Sequence, residues 1–386
     1  MTERGESRDV EALRLEGFEV VVVSLALQQS VASAGRTDAD VTKMFLRVLT
    51  TQADGWGECS AYRGARFEDP TLAEVETNLV DRVLAKVVAS CRGGVLLAGR
   101  AVFDTLAPRS PAERSAVAAV EMAVFDAELR SQSRSLASLI GAARPAVRSG
   151  AMVGIPTGRD TGALRESVAI ALQSGAARVR VKIQPGWDHL PLGSLRAAFP
   201  DAVLQADANG SFEPRAAREL VSLDSYGLAC LEQPFEPRQL DAHRDLAAAM
   251  KTPVGLDETL SSPRAVERAL QARALEVACL KPGRIGGLMA TARAAASCAR
   301  ESVPCFVGGF FESGLGRCAN AALAGRPEFS MPADLGDPSS YLVANPFSYL
   351  ECSDGVVTLS TEPGVGSTLD EKAMGPLVAH RRRFGA

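Results

Sequence analysis

The 386-residue chain is 46% hydrophobic and 23% charged, with a formal net charge of −4, which describes a globular protein of about two domains with a large core. No basic patch stands out, so nucleic acid is excluded as a partner, and the longest apolar stretch, Val20–Ala26, is far too short to span a bilayer. Eight scattered cysteines without a C-x-x-C pair argue for reduced thiols rather than a disulfide framework, and the three histidines, His189, His243 and His380, lack the spacing of zinc ligands.

Residues 1–16 are charged, carry no apolar signal segment and read as a flexible leader, which fits a cytoplasmic enzyme. Phe18–Leu27 predicts an apolar strand, followed by a small-residue loop at "SVASAGRTD". "VTKMFLRVLT" and "TQADGWGECSA" predict a hairpin around Asp54-Gly55, with Trp56 in core or interdomain packing. Leu72, Val75, Leu79, Val83 and Val87 recur at helical spacing. A second helix starts sharply at Ser110, with Pro111 at its first position and Glu113 completing a capping-box pattern. Residues 17–144 therefore read as a small α+β capping domain.

After Arg144-Pro145 the pattern changes. Eight β-rich runs alternate with amphipathic stretches: "SGAMVGI", "ARVRVKI", "AVLQADAN", "ACLEQPF", "PVGLDE", "EVACLKP", "PCFVGG" and "FSMPADL". The expected fold class is α/β, a modified TIM (β/α)-barrel over residues 145–335 with the N-terminal α+β domain as its cap. Residues 336–386 should leave the barrel, and their β-like tail should pack back on the capping domain. Trp187 is expected under the loop after the second barrel strand, His189 in a structural or exposed role, and Arg381–Arg383 as a solvated tail.

Five ionisable residues punctuate the barrel region at intervals of 25, 25, 25 and 24 residues: Lys182, Asp207, Glu232, Asp257 and Lys281. One βα unit has this length, and residues at the C-terminal ends of barrel strands share one mouth. Asp207, Glu232 and Asp257 each follow an apolar run, so three carboxylates should gather there. Such a cluster requires a cation, and oxygen donors suit Mg²⁺. Lys182 and Lys281 should flank it, with neighbouring cations lowering their pKa towards the range of a working base. Two bases across a metal suit removal of the proton α to a carboxylate through an enediolate.

These motifs resemble the enolase superfamily in its muconate-lactonizing-like branch, and most closely the o-succinylbenzoate synthase / N-acylamino acid racemase family. The residues that carry the likeness are Lys182 with "IQPGWD", then "DAN", "EQP", "DET", "KPGRIGG" and "GGFFESGLGR", together with "GWGEC" in the first domain. The use of a Lys or His base with Mg²⁺ is a known trait of enolase-superfamily sites. The resemblance implies Asp207, Glu232 and Asp257 as metal ligands and Lys182 and Lys281 as the acid/base pair. Asn209 should face the site, and Arg284 should lie near Lys281. The segment containing Gly308, Gly309, Phe310, Glu312 and Ser313 should approach the substrate, its small residues fitting main-chain binding of an anionic group. Mg²⁺ is the implied cofactor, with Mn²⁺ as an alternative. The implied partners are a small carboxylate substrate and further copies of the chain.

The implied reaction is racemisation of N-acyl, for example N-succinyl, amino acids. The alternative in the same site is o-succinylbenzoate synthesis, a syn-dehydration in menaquinone biosynthesis. A barrel that has lost turnover and a Schiff-base aldolase are the rivals from other classes. Two departures stand out. The family has K-x-K on the second strand, whereas this chain has Arg180-Val181-Lys182, and arginine cannot act as a base. The first-domain loop "LQQSVASAGRTD" lacks the expected aromatic residue; in this family that loop and "SAYRGARFED" close over the substrate.

Overall fold

The computed structural model describes residues 12–33, 36–59, 61, 64, 67 and 69–386. Two long strands, β1 (Leu15–Ser33) and β2 (Arg36–Thr50), are followed by the short β3 (Gly55–Cys59). Alternation of side chains gives their sheet two apolar faces. Phe18, Val20, Val22, Met44, Leu46 and Val48 face the helices of the capping domain, whereas Val21, Val23, Leu25, Phe45 and Trp56 join the core shared with the barrel. The β2–β3 hairpin forms as the sequence predicts, pairing Val48 with Gly55 and Met44 with Cys59. Gly55 and Gly57 are required where the helix Pro111–Ser131 crosses β3: a Cβ at either would lie 2.1 Å and 2.0 Å from the carbonyl oxygens of Ala123 and Ala119.

Helical spacing over residues 71–90 becomes one continuous run with a single wide turn at Leu79–Val83. Ser110 caps the next helix as expected, its Oγ accepting the Glu113 N–H at 3.1 Å. The Glu113 carboxylate reaches back one residue further than a capping box requires, to the Arg109 N–H at 2.7 Å.

The barrel region begins with β4 (Ala146–Arg148) and β5 (Ala151–Val153). There follow β6 (Val179–Lys182), β7 (Leu204–Asp207), β8 (Cys230–Glu232), β9 (Val254–Leu256), β10 (Val277–Leu280) and β11 (Cys305–Val307). Strands β5 to β11 form a seven-stranded parallel sheet in sequence order, curled with helices between successive strands. The eighth predicted strand, "FSMPADL", does not form one. It instead bonds irregularly to both edges of the sheet: Asp334 N–H donates to the Val307 carbonyl at 2.9 Å, and Gly150 N–H donates to Ala333 at 2.8 Å. Pro332 within it lacks a ladder donor, which is one reason that the segment stays irregular.

The C-terminal segment supplies β12 (Cys352–Ser353), β13 (Val356–Thr358) and β14 (Val378–Gly385). The predicted β-rich tail divides. Its first part, β13, pairs with β4 beside the barrel rather than with the cap. Beyond it, β14 adds an antiparallel edge strand to β1. The arginine run is exposed as expected, but it lies on β14 rather than in a free tail. Arg381 and Arg383 lie 3.5 Å and 3.0 Å from the fully buried carboxylate of Glu19 on β1, which also draws Arg47 to 3.6 Å. The loop expected at "SVASAGRTD" is likewise β1 as far as Ser33, while residues 34–35 lie outside the described residues. Residues 1–11 of the expected leader, and 60, 62, 63, 65, 66 and 68 of the "SAYRGARFED" loop, lie outside them too. No described helix is long and apolar enough to cross a membrane.

Candidate active site

Parallel register brings the spaced residues together. Lys182 on β6 is level with Asp207 on β7, and Asp207 with Glu232 on β8. Asp257 follows the last residue of β9 and Lys281 the last residue of β10. The two lysines thus stand at opposite ends of a five-strand row with the carboxylates between them. Asp207, Glu232 and Asp257 are each 1% exposed.

Every carboxylate in the row meets a cation. Lys182 Nζ lies 2.6 Å from Asp207 Oδ2 and donates to Asn209 Oδ1 at 2.8 Å. Lys281 Nζ lies 2.6 Å from Asp257 Oδ2, and Arg284 Nη1 bonds the other oxygen of Asp257. Arg180 donates to both oxygens of Glu232, at 2.9 and 3.1 Å, and to Asp334 Oδ2 at 2.5 Å. Arg178, one layer deeper on the same face, holds Asp334 Oδ1 at 2.8 Å and Gln205 at 2.6 Å.

The acids do not titrate alike. Burial would raise Asp257, but Arg284 and Lys281 outweigh it and hold this carboxyl below its usual range. Burial is likewise outweighed at Asp207, by Lys182 and Arg180, and at Asp334, which Arg180 and Arg178 bring down to about 2. Glu232 goes the other way. Burial pushes it up to about 8 against the pull of Arg180, with the charges of Asp207 and Asp257 adding to the rise. A buried acid raised by two neighbouring carboxylates marks a point where added positive charge is favourable.

The donor chemistry fits a divalent cation. Three buried carboxylates offer hard oxygen ligands. Among the described residues, donor atoms within 4.8 Å of one another are those of Glu232, Asp257 and Cys279. Asp207 is not in that group; its oxygens are held by Lys182 at 2.6 Å and by the Asn209 N–H at 2.9 Å.

Around this row the backbone departs from ordinary geometry. Asn209 and Gln233, the residues that leave β7 and β8, have φ of +44° and +42°. Left-handed backbone at such residues is costly and concentrates at functional sites. Gln233 in the "EQP" motif then pins the next ligand position, its Oε1 accepting the Asp257 and Thr259 N–H groups at 3.0 and 3.1 Å.

The segment after β11 divides between two neighbourhoods. Gly308 packs directly on Lys281: a Cβ there would lie 2.8 Å from Lys281 Cε. The Phe310 ring centroid is 4.6 Å from Lys281 Nζ and 5.0 Å from the Arg284 guanidinium. Gly309 lies over the Arg317 guanidinium. Glu312 and Ser313, by contrast, bond to residues outside the row. Glu312 accepts from Asn320 at 3.1 Å and lies 3.5 Å from Arg317. The expected main-chain anion site at the start of the helix Gly314–Ala324 is already filled from within. Glu58 of β3 accepts from the Ser313 and Gly316 N–H groups, Asn345 from Gly314, and Ser313 Oγ from Leu315.

Several residues at the site went unassigned in the sequence. Asp334 lies on the irregular eighth segment, and Asp69 comes from the capping domain to bind Arg284 through both oxygens, at 2.8 and 2.7 Å. Gln233 carried a signal, its place in "EQP", whereas Asp69 carried only its place at the end of the "SAYRGARFED" loop. The remaining expectations concern packing. Trp187 is buried among the strands and helices of β6 and β7, Trp56 lies in the shared core, and His189 bonds Tyr226 and Ser222 at the protein surface.

Comparison with known proteins agrees with this fold. A family profile described as enolase C-terminal domain-like matches residues 163–373. The mandelate racemase / muconate lactonizing enzyme N-terminal domain profile matches residues 18–141. An N-succinylamino acid racemase from Amycolatopsis sp is 34% identical over 92% of this chain and 95% of its own length. An o-succinylbenzoate synthase from Bacillus subtilis is 31% identical over 84% of this chain and 86% of its own length. A solved enolase-superfamily structure from Listeria innocua superposes with a TM-score of 0.90 at 26% identity, covering 97% of this chain and 99% of that one.

Proposed function

This chain is a member of the enolase superfamily, and from that premise we propose that it removes the proton α to a substrate carboxylate and racemises N-acyl, specifically N-succinyl, amino acids. The observation that carries the reading is the placement of Lys182 and Lys281 on opposite flanks of one buried carboxylate row. A substrate carbon held between them presents one face to each amine. One neutral amine accepts the α-proton, leaving an enediolate, and the opposite ammonium returns a proton to the other face.

Asp207, Glu232 and Asp257 would hold a divalent cation, Mg²⁺ or Mn²⁺. Bound there, it supplies positive charge against the negative charge that builds on the substrate carboxylate. The chain's own residues do the rest. Asn209 and Asp207 orient the Lys182 ammonium. Gln233 fixes the backbone that presents Asp257. The Phe310 ring and Gly308 pack against the Lys281 side chain and keep it out of bulk water.

The second reading, o-succinylbenzoate synthesis, uses the same first step with Lys182 as base, and a relative of comparable identity bears that name. One assay separates the two. Purified protein with Mg²⁺ is given N-succinyl-L-amino acids and followed by polarimetry, and in parallel the cyclohexadienecarboxylate precursor of o-succinylbenzoate. Loss of optical rotation supports racemisation; turnover of the precursor alone assigns the dehydration instead.

A further inference from the structure

Strands β2 and β3 of the capping domain send two side chains into the segment that covers Lys281. Lys43 on β2 is fully buried, and its ammonium donates to the Phe310 carbonyl at 2.7 Å. Glu58 on β3, directly opposite Phe45 and so on the same face of the sheet as Lys43, holds the Ser313 and Gly316 N–H groups. The turn between β11 and the helix Gly314–Ala324 is therefore clamped at both ends by the cap. Phe310 itself occupies the middle of the arrangement. Its carbonyl faces Lys43, while its ring lies 4.6 Å from Lys281 Nζ. The neighbouring Phe311 has φ of +56°, so this turn is not one that the chain adopts without support.

A buried ammonium is costly, and lysine is rarely placed so deep without purpose. The cost here is offset by Glu58 and Glu312, whose charges oppose the effect of burial on Lys43. Core packing alone needs no ammonium at position 43; a methionine would fill similar volume. What the ammonium adds is a directed hydrogen bond to one carbonyl, and that carbonyl belongs to the residue whose ring packs on Lys281.

We propose that Lys43 is a positioning residue for Lys281: its bond to the Phe310 carbonyl fixes the phenyl ring against the ammonium and thereby sets how that lysine meets its face of the substrate carbon. The inference rests on the two-base reading given above. It assigns the capping domain a part in the chemistry of one face, whereas Lys182 is oriented by Asp207 and Asn209.

The test has a part that does not depend on turnover. The chain contains six lysines, so ¹³C-lysine labelling gives a sparse spectrum in which Lys281 is assigned by Lys281→Ala. A ring face close to the ammonium shifts the neighbouring Cε protons upfield, and Phe310→Leu should abolish that shift. Lys43→Met should reduce it as well; an unchanged Lys281 signal in Lys43→Met overturns the inference whether or not the protein is a racemase. The second part is hydrogen exchange at the α-carbon of each enantiomer in heavy water. Lys43→Met should slow exchange on the enantiomer served by Lys281 by roughly 10–100-fold, the scale of a small misplacement of a reacting group, and leave the other within about threefold. Equal slowing of both enantiomers overturns it in favour of a merely structural role. Should Lys43→Met fail to fold, Phe310→Leu keeps the buried bond and must show the same one-sided loss. Absence of exchange in the unaltered protein would count against the two-base reading, while the Lys281 signal would still decide the positioning role.

Discussion

The guanidinium of Arg180 donates to both oxygens of Glu232, at 2.9 and 3.1 Å, and its third contact is Asp334 at 2.5 Å. The residue thus ties a proposed metal ligand on β8 to an acid on the irregular segment that bridges the sheet edges. The planar fork of arginine makes these contacts together, and a lysine would satisfy one of them at a time. Removing the cation leaves two acids buried without it. Arg180→Met should cost about 3–5 kcal/mol in urea denaturation, and Arg180→Lys distinctly less. If Arg180→Met is as stable as the unaltered protein, the bridge has no structural weight.

Asp69 links the cap to the opposite flank. Both its oxygens engage Arg284, which also bonds Asp257 beside Lys281. Asp69→Ala leaves part of a buried guanidinium without a partner, with an expected loss of about 1–3 kcal/mol. Arg284 should then pull harder on Asp257, and kcat/KM for an N-succinyl amino acid should drop about tenfold for the roughly 1.4 kcal/mol that such a shift represents. Steady-state kinetics at saturating Mg²⁺ reads this directly; unchanged kcat/KM would separate Asp69 from the chemistry.

His243 carries a pH dependence that lies outside the site. Burial lowers its pKa from 6.5 to about 4, outweighing its hydrogen bonds to the Gln239 carbonyl and the Phe235 N–H, which act in the opposite direction. A depressed histidine stabilises the fold above pH 6.5, and that stability is lost as the pH falls through the window from 6.5 to 4. The stability advantage of the unaltered protein over His243→Gln should therefore shrink between these pH values, by up to about 3 kcal/mol. Chemical denaturation at intervals across the window measures it. A constant difference would mean that the ring is already charged or free.

How much of this could be read in the amino-acid sequence follows from where each signal is stored. The row of Lys182, Asp207, Glu232, Asp257 and Lys281 was legible because strand ends repeat at the βα interval, so position along the chain encodes position around the mouth. The alternation that splits β1 and β2 between two cores was legible for the same reason. Asp69, Asp334 and Lys43 were not, since each reaches the site through a fold-level contact that no local pattern records. Glu312 and Ser313 show the converse: their motif suggested contact with substrate, yet a carboxylate from β3, Glu58, had already taken the helix start. The arginine run at residues 381–383 was legible as solvated, but its pairing with Glu19 was not, because Glu19 lies more than 360 residues earlier in the chain.

The two-sided arrangement of amines is tested most directly by isotope exchange at the α-carbon in heavy water with Mg²⁺ and an N-succinyl amino acid. The unaltered protein should place deuterium in both enantiomers. Lys182→Ala should retain exchange from one enantiomer only, and Lys281→Ala from the other only. Deuterium entering a single enantiomer in the unaltered protein, or both variants losing the same one, would contradict the account.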